Sequence, residues 1–243
     1  MSLTVMKDFR AALGPARHQG RRPTCLSFAA SDVHQHARKH PNIFCVEWLY
    51  YHVSQYAGTG PQSGTTVPDT RAVLKASGQP IERVWPYSPY PPHPSRWSPP
   101  AATSEVMTCG SAGCSTGLLG IRQEIDADTP VVIGLYTSMT FNDPTSWDYA
   151  GSEVILDDDS GLPIDPTRGH AMVVVGRGDY GGEPVVLLRN SWGARWGHEG
   201  HAWLRESYLG PRLVDAFVIS KGDGDVLQSD GRYADADASP RLG

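Results

Sequence analysis

Cysteine is scarce in this sequence: four among 243 residues, at Cys25, Cys45, Cys109 and Cys114. That is too few for a disulfide scaffold at this length. The flexible Gly110–Gly113 stretch would permit a Cys109–Cys114 bridge, but two reduced thiols are the plainer reading. No apolar run reaches the length of a membrane span, and the first residues lack the basic-then-apolar order of a secretion signal. A cytoplasmic protein with no membrane partner is therefore expected. Basic excess is missing as well. Twenty-one Lys and Arg face 26 Asp and Glu, a formal net charge of −5, so no phosphate-tracking surface and no nucleic-acid partner are expected. There is no internal repeat.

Apolar residues make up 40% of the chain and charged residues 19%, a globular composition. The length suits one large domain or two lobes. Residues 1–17 read as an extended arm. From Cys25 to about Lys39 the apolar residues Leu26, Ala29, Ala30, Val33 and Ala37 fall at helical spacing, and Pro41 ends the run. The opposite face carries His34, His36 and His40 and reads as solvated, because i and i+2 on a helix diverge too far to share a metal. A second helix is expected from Cys45 to about Ala57. A third runs from Thr66 to Ala76, with Pro68 in its first turn. The stretch from Gln79 to Pro100 holds eight prolines together with Trp85, Tyr87, Tyr90 and Trp97, and predicts an ordered strap. Ser115 or Thr116 can cap a short helix through Leu118, Ile121 and Ile125.

After Pro130 the pattern changes to short β-rich runs: Val131–Tyr136, His170–Val175, Val185–Leu188, His201–Leu204 and Leu213–Ile219, parted by turn residues. Helices first and strands later make an α+β chain in two lobes. The expected organisation is one domain over residues 1–220. Its helical lobe spans about 18–105, and its antiparallel, barrel-like β lobe spans about 106–220 plus the arm. A Gly/Asp-rich tail follows from 221 to 243.

Chemistry concentrates in three stretches. Gln19 stands six residues ahead of Cys25, which opens the first helix, where unpaired N–H groups and the helix dipole favour a thiolate. His170 starts a buried strand within Gly169-His170-Ala171. Asn190 ends another within Asn190-Ser191-Trp192-Gly193. A thiol nucleophile needs a base, a group that orients the base, and donors for an oxyanion. Cys25, His170, Asn190 and Gln19 are those four chemical types.

Together the three stretches resemble the papain-like cysteine peptidases, the C1 family, in motif, order and spacing over roughly residues 15–220. Trp85-Pro86-Tyr87 is a weaker echo. The resemblance implies a helical lobe and a β-barrel-like lobe with the active site between them. It also implies an endopeptidase acting without cofactor or metal on a protein or peptide substrate. Cys25 is the implied nucleophile, His170 its imidazolium partner and Asn190 the orienter. Trp192 shields the His–Asn bond, and Gln19 lines the oxyanion hole with the Cys25 N–H. Ser63, Gly64 and Thr65 stand where the family pairs with extended substrate backbone, and an ordinary turn is an equal reading. Gly169 stands beside a specificity pocket, where Arg168 would favour an acidic side chain.

The sequence departs from the family at two positions. Arg22 replaces a cysteine that normally braces the nucleophile loop by a disulfide, and Leu26 replaces a tryptophan. Both predict a looser loop, and the motif Pro23-Thr24-Cys25-Leu26-Ser27-Phe28-Ala29 is closer to bacterial-type members. Only 24 residues precede Cys25, too few for an inhibitory propeptide, so either the sequence begins after a removed segment or activity is restrained by something else. In the second case the candidates for restraint are the strap, the tail from Lys221, the acidic loop from Asp157-Asp158-Asp159 to Arg168, or a regulatory partner. That loop lacks the ligand pattern of a calcium site, and Cys109-x4-Cys114 lacks a zinc partner pair. Two other functions stay open at this level. One is a transpeptidase or other acyltransferase using the same acyl-enzyme, and the other a catalytically silent binding module.

Overall fold

A computed structural model describes residues 1–101, 105–114, 117–156, 163–221 and 241–242. The expected cap at Ser115 or Thr116, the aspartates at 157–159 and residues 222–240 and 243 of the tail lie outside them. In chain order, strand β1 (Leu3–Asp8) is followed by helices α1 (Cys25–Arg38), α2 (Val46–Tyr56) and α3 (Val67–Ala76). Strand β2 (Cys109–Gly113), helix α4 (Leu118–Asp126) and strands β3 (Val131–Tyr136), β4 (Asp148–Ala150) and β5 (Glu153–Leu156) come next. Strands β6 (Gly169–Tyr180), β7 (Glu183–Arg189) and β8 (His201–Arg205), helix α5 (Glu206–Arg212) and strand β9 (Leu213–Lys221) complete the order. The chain divides into two compact units: Met1–His18 with Gly113–Val218, and Gln19–Ala112 with Ile219–Gly243. Among the described residues no helix is long and apolar enough to cross a membrane.

The second unit is helical, and local chemistry sets its boundaries. At the end of α1, Lys39 turns into the left-handed region (φ 50°) and its N–H closes on the Gln35 and His36 carbonyls. The Cys45 sulfur accepts the Trp48 N–H and caps α2. Thr66 Oγ1 accepts the Asp69 N–H at 3.2 Å and caps α3, with Pro68 in the first turn, where its missing N–H costs nothing. Cys45, Trp48 and Val106 pack together with Trp85 against them. One expectation is corrected here. His34 does not lie on a solvated face: it is fully buried, its Nδ1–H donates to Gln79 Oε1 at 3.1 Å, and its ring packs on Phe44. The Gln79 amide nitrogen in turn donates to Ser31 Oγ and the Cys45 carbonyl. A buried polar side chain must be paired, and residue 79 supplies a partner that lies far from α1 in sequence.

The first unit is built on a sheet in the order β9-β3-β6-β7-β8-β5-β4, with β1 added to the far half of β6. The sheet is open rather than barrel-like. It is also not wholly antiparallel, since β5 and β8 run parallel. Helices α4 and α5 contribute Ile121, Ile125, Tyr208 and Leu209 to a core with Val131, Ile133, Met172, Val174 and Leu188. The central strand β6 is buried over almost its whole length, which explains its continuous apolar run. All four cysteines are free thiols.

Candidate active site

In the helical unit, Thr24 precedes Cys25, the first residue of α1, and both are buried. The loop that leads to them is held from several sides. The Gln19 amide nitrogen donates to the Arg22 carbonyl at 2.8 Å. Arg22 is itself buried and forms a two-pronged ion pair with Glu47 of α2: Nη2 donates to Oε1 at 2.7 Å, and Nη1 to Oε2. Burial works against the guanidinium charge, and the Glu47 bond and charge more than offset it, so the charged form is favoured. Trp97 Nε1–H donates to Glu47 Oε1 at 2.7 Å, and the guanidinium lies 5.2 Å from the Tyr50 ring and 5.0 Å from that of Tyr87.

The proline-rich strap closes the loop from outside. Ser88 O accepts from Arg22, and Pro89 O from the Arg21 N–H. Gly20 has φ 67°, and a Cβ there would meet the Pro89 oxygen at 2.5 Å, so no side chain fits. The Tyr87 hydroxyl donates to Gln19 O at 2.7 Å. Its single proton being so used, Thr24 Oγ1 must donate to it at 2.8 Å. Loss of the cysteine at position 22 predicts a looser loop. The structure instead places a buried ion pair there and adds the strap.

In the sheet unit, His170 stands at the start of β6 opposite Leu135 of β3, and Asn190 follows the last residue of β7. The β6–β7 pairing brings them together: His170 Nε2–H donates to Asn190 Oδ1 at 2.8 Å. The same oxygen accepts the Ser191 N–H at 2.8 Å, which fixes the amide orientation and therefore the ring tautomer. Nδ1 is left as the basic nitrogen. Trp192 stacks on the imidazole, centroids 4.5 Å apart and planes 26° off parallel. Burial pushes the imidazole down to about 4, against the Asn190 bond, which pulls it upward. Holding a second proton on this ring thus requires a nearby anion. The residue before Asn190 secures the strand end: Arg189 donates to the Leu13, Gly14 and Pro15 carbonyls.

Residues 120–210 match the model described as papain family cysteine protease. Xylellain, a cysteine protease of Xylella fastidiosa, superposes with a TM-score of 0.71 at 21% identity over 91% of this chain and 87% of that one. The fold is that of the papain-family cysteine proteases. The Carica candamarcensis cysteine protease CMS1MS2, solved in complex with E-64, gives 0.67 at 21% identity over 88% of this chain and 97% of that one. Digestive procathepsin L 3 of Tenebrio molitor larval midgut gives 0.68 at 19% over 88% and 69%. Comparison with curated proteins finds no match.

Within this papain fold the sheet unit gathers His170, Asn190 and Trp192, and the helical unit gathers Gln19, Thr24 and Cys25 on one loop and helix start. Ser63, Gly64 and Thr65 lie in the helical unit ahead of α3, and Gly169 in the sheet unit opposite Tyr136. Glu47, Tyr87 and Arg189 escaped the sequence reading as supports of the site. Only the Trp85-Pro86-Tyr87 echo pointed to one of them. Among the described residues no group of three or more His, Cys, Asp or Glu side chains is placed to hold a metal. The other thiols are inert by environment: burial pushes Cys45 and Cys109 up to about 12 and Cys114 up to about 11.

Proposed function

We propose that the chain is a cysteine peptidase that hydrolyses peptide bonds through Cys25, His170 and Asn190. The observation that carries this reading is the His170–Asn190 bond under the Trp192 ring, lying within the stretch that matches the family model. A buried imidazole held in one tautomer with Nδ1 basic is what a thiol needs as proton acceptor. The Cys25 proton passes to Nδ1, and the thiolate supplies the anion that the buried imidazolium requires. Sulfur attacks the scissile carbonyl carbon, and the oxyanion is received by the Cys25 N–H and the Gln19 amide. Collapse breaks the C–N bond as imidazolium protonates the leaving amine, which leaves a thioester on Cys25. Water then adds as His170 takes its proton, and the thioester breaks to release the acid and the thiolate. Asparagine suffices as orienter because the resting pair is already ionic.

An epoxide or chloromethyl-ketone peptide tests the assignment. One adduct on Cys25 by intact mass is expected, absent from Cys25→Ala and slowed in His170→Ala. Peptide hydrolysis that persists in Cys25→Ala would overturn it. Transferred product in the presence of an added amine would redirect the same acyl-enzyme to transpeptidation.

A further inference from the structure

The Ser63–Gly64–Thr65 segment is not an idle turn. Thr65 exchanges two backbone hydrogen bonds with Leu242: its N–H donates to Leu242 O at 3.0 Å, and Leu242 N–H donates to Thr65 O at 2.8 Å. The pairing is antiparallel. Arg241 Nη1 adds a bond to Gly64 O at 3.2 Å. A Cβ at Gly64 would lie 2.7 Å from the Leu242 carbonyl oxygen, so the approach of the two backbones depends on glycine there. The Leu242 side chain is 1% exposed. The receiving edge is fixed at both ends, by the Tyr50 hydroxyl on Ser63 O at 2.7 Å and by Thr66 acting as the cap of α3. A rigid, glycine-bearing edge that takes backbone from an extended segment and buries an alternate side chain is a strand-addition site.

We infer that Arg241–Leu242 occupies in cis the edge to which substrate backbone adds, and that this site prefers an aliphatic residue opposite Thr65 preceded by a basic one. The substrate part rests on the peptidase reading above; the pairing itself does not. Backbone bonds bind any extended peptide here. Selection comes from the space that Leu242 fills and from the Gly64 carbonyl, which Arg241 reaches. Substrate must displace the segment, so the segment raises the apparent KM and leaves the chemical step alone.

The test compares the full chain with Leu242→Asp, which places a charge where a buried aliphatic side chain sits. Fluorescein-labelled Ser-Pro-Arg-Leu-Gly is titrated into both and read by anisotropy. Hydrolysis of a Leu-containing peptide is followed in parallel. Binding at least tenfold tighter to Leu242→Asp is expected, with a several-fold lower KM and unchanged kcat. Equal peptide affinity and equal KM in the two chains overturn the inference while leaving the peptidase standing. Peptide binding that tightens while neither chain hydrolyses anything keeps the pairing and removes the peptidase. If Leu242→Asp does not fold, Leu242→Gly keeps both backbone bonds, empties the side-chain space and is expected to give the same ordering at smaller amplitude. A Gly64→Val change placed on either variant should abolish peptide binding, and retained binding would also overturn the inference.

Discussion

Arg22 and Glu47 form a buried, two-pronged ion pair that ties the loop ahead of Cys25 to helix α2. Removing one partner strands a charge away from water, whereas removing both leaves only a packing change. Glu47→Ala should therefore cost about 3–5 kcal/mol in urea unfolding. The pair Arg22→Met with Glu47→Leu should cost clearly less than Glu47→Ala alone. Strict additivity of the two sites would contradict the coupling.

Tyr87 holds Gln19 and Thr24 with one hydroxyl, and burial pushes that phenol up to about 12, so it stays a proton donor at neutral pH. Tyr87→Phe leaves a carbonyl and a hydroxyl without this partner and should cost roughly 1–3 kcal/mol. It should also slow Cys25 alkylation without moving the His170 titration. Thermal unfolding and a histidine-resolved NMR titration read the two effects separately.

Asn190 orients His170 with its oxygen, while its amide nitrogen is buried with no hydrogen-bond partner. Asn190→Asp exchanges that nitrogen for a carboxylate oxygen and brings negative charge to the ring. The His170 pKa should rise by at least about one unit. The alkaline limb of the Cys25 alkylation profile should then shift to higher pH. An unmoved profile would mean that Asn190 does not act on the charge of the imidazole.

Burial lowers His52 and His201, which take no part in the proposed chemistry, from 6.5 to about 4. Below pH 6.5 the unfolded chain binds protons that the folded chain refuses, so their stabilisation is complete above that value and is lost as pH falls toward 4. The slope approaches about 1.4 kcal/mol per pH unit for each group. Urea midpoints measured from pH 7.5 to 4.5 should be flat above about 6.5 and fall steadily below it. His52→Phe should remove about half of the slope.

The three motif stretches were legible because each carries its chemistry within a few neighbouring residues. Helices α1 to α3 were legible because their apolar spacing, caps and prolines agree. What escaped depended on partners distant in sequence. Arg22 looked like a lost brace until Glu47 and the strap supplied another, and His34 looked solvated until Gln79 covered it. Helix α5 contains Gly210 and Pro211, both helix breakers, and forms where Tyr208 and Leu209 enter the core. Strand β1 reads as a plain arm because most of its side chains remain exposed; its backbone pairing with β6 alone makes it a strand. The open sheet and the parallel β5–β8 pair followed from connections that periodicity does not encode.

That pairing of β1 with β6 has a consequence during synthesis. Leu3 is synthesised 177 residues ahead of its partner Tyr180, a delay of roughly ten to thirty seconds at ordinary elongation rates. Through that interval β1 is a bare strand edge carrying the exposed apolar residues Val5 and Met6, the kind of edge that nascent chains offer to one another. Strand β1 is thus made long before the strand that pairs with it, so closely spaced ribosomes on one message bring unpaired β1 edges near one another.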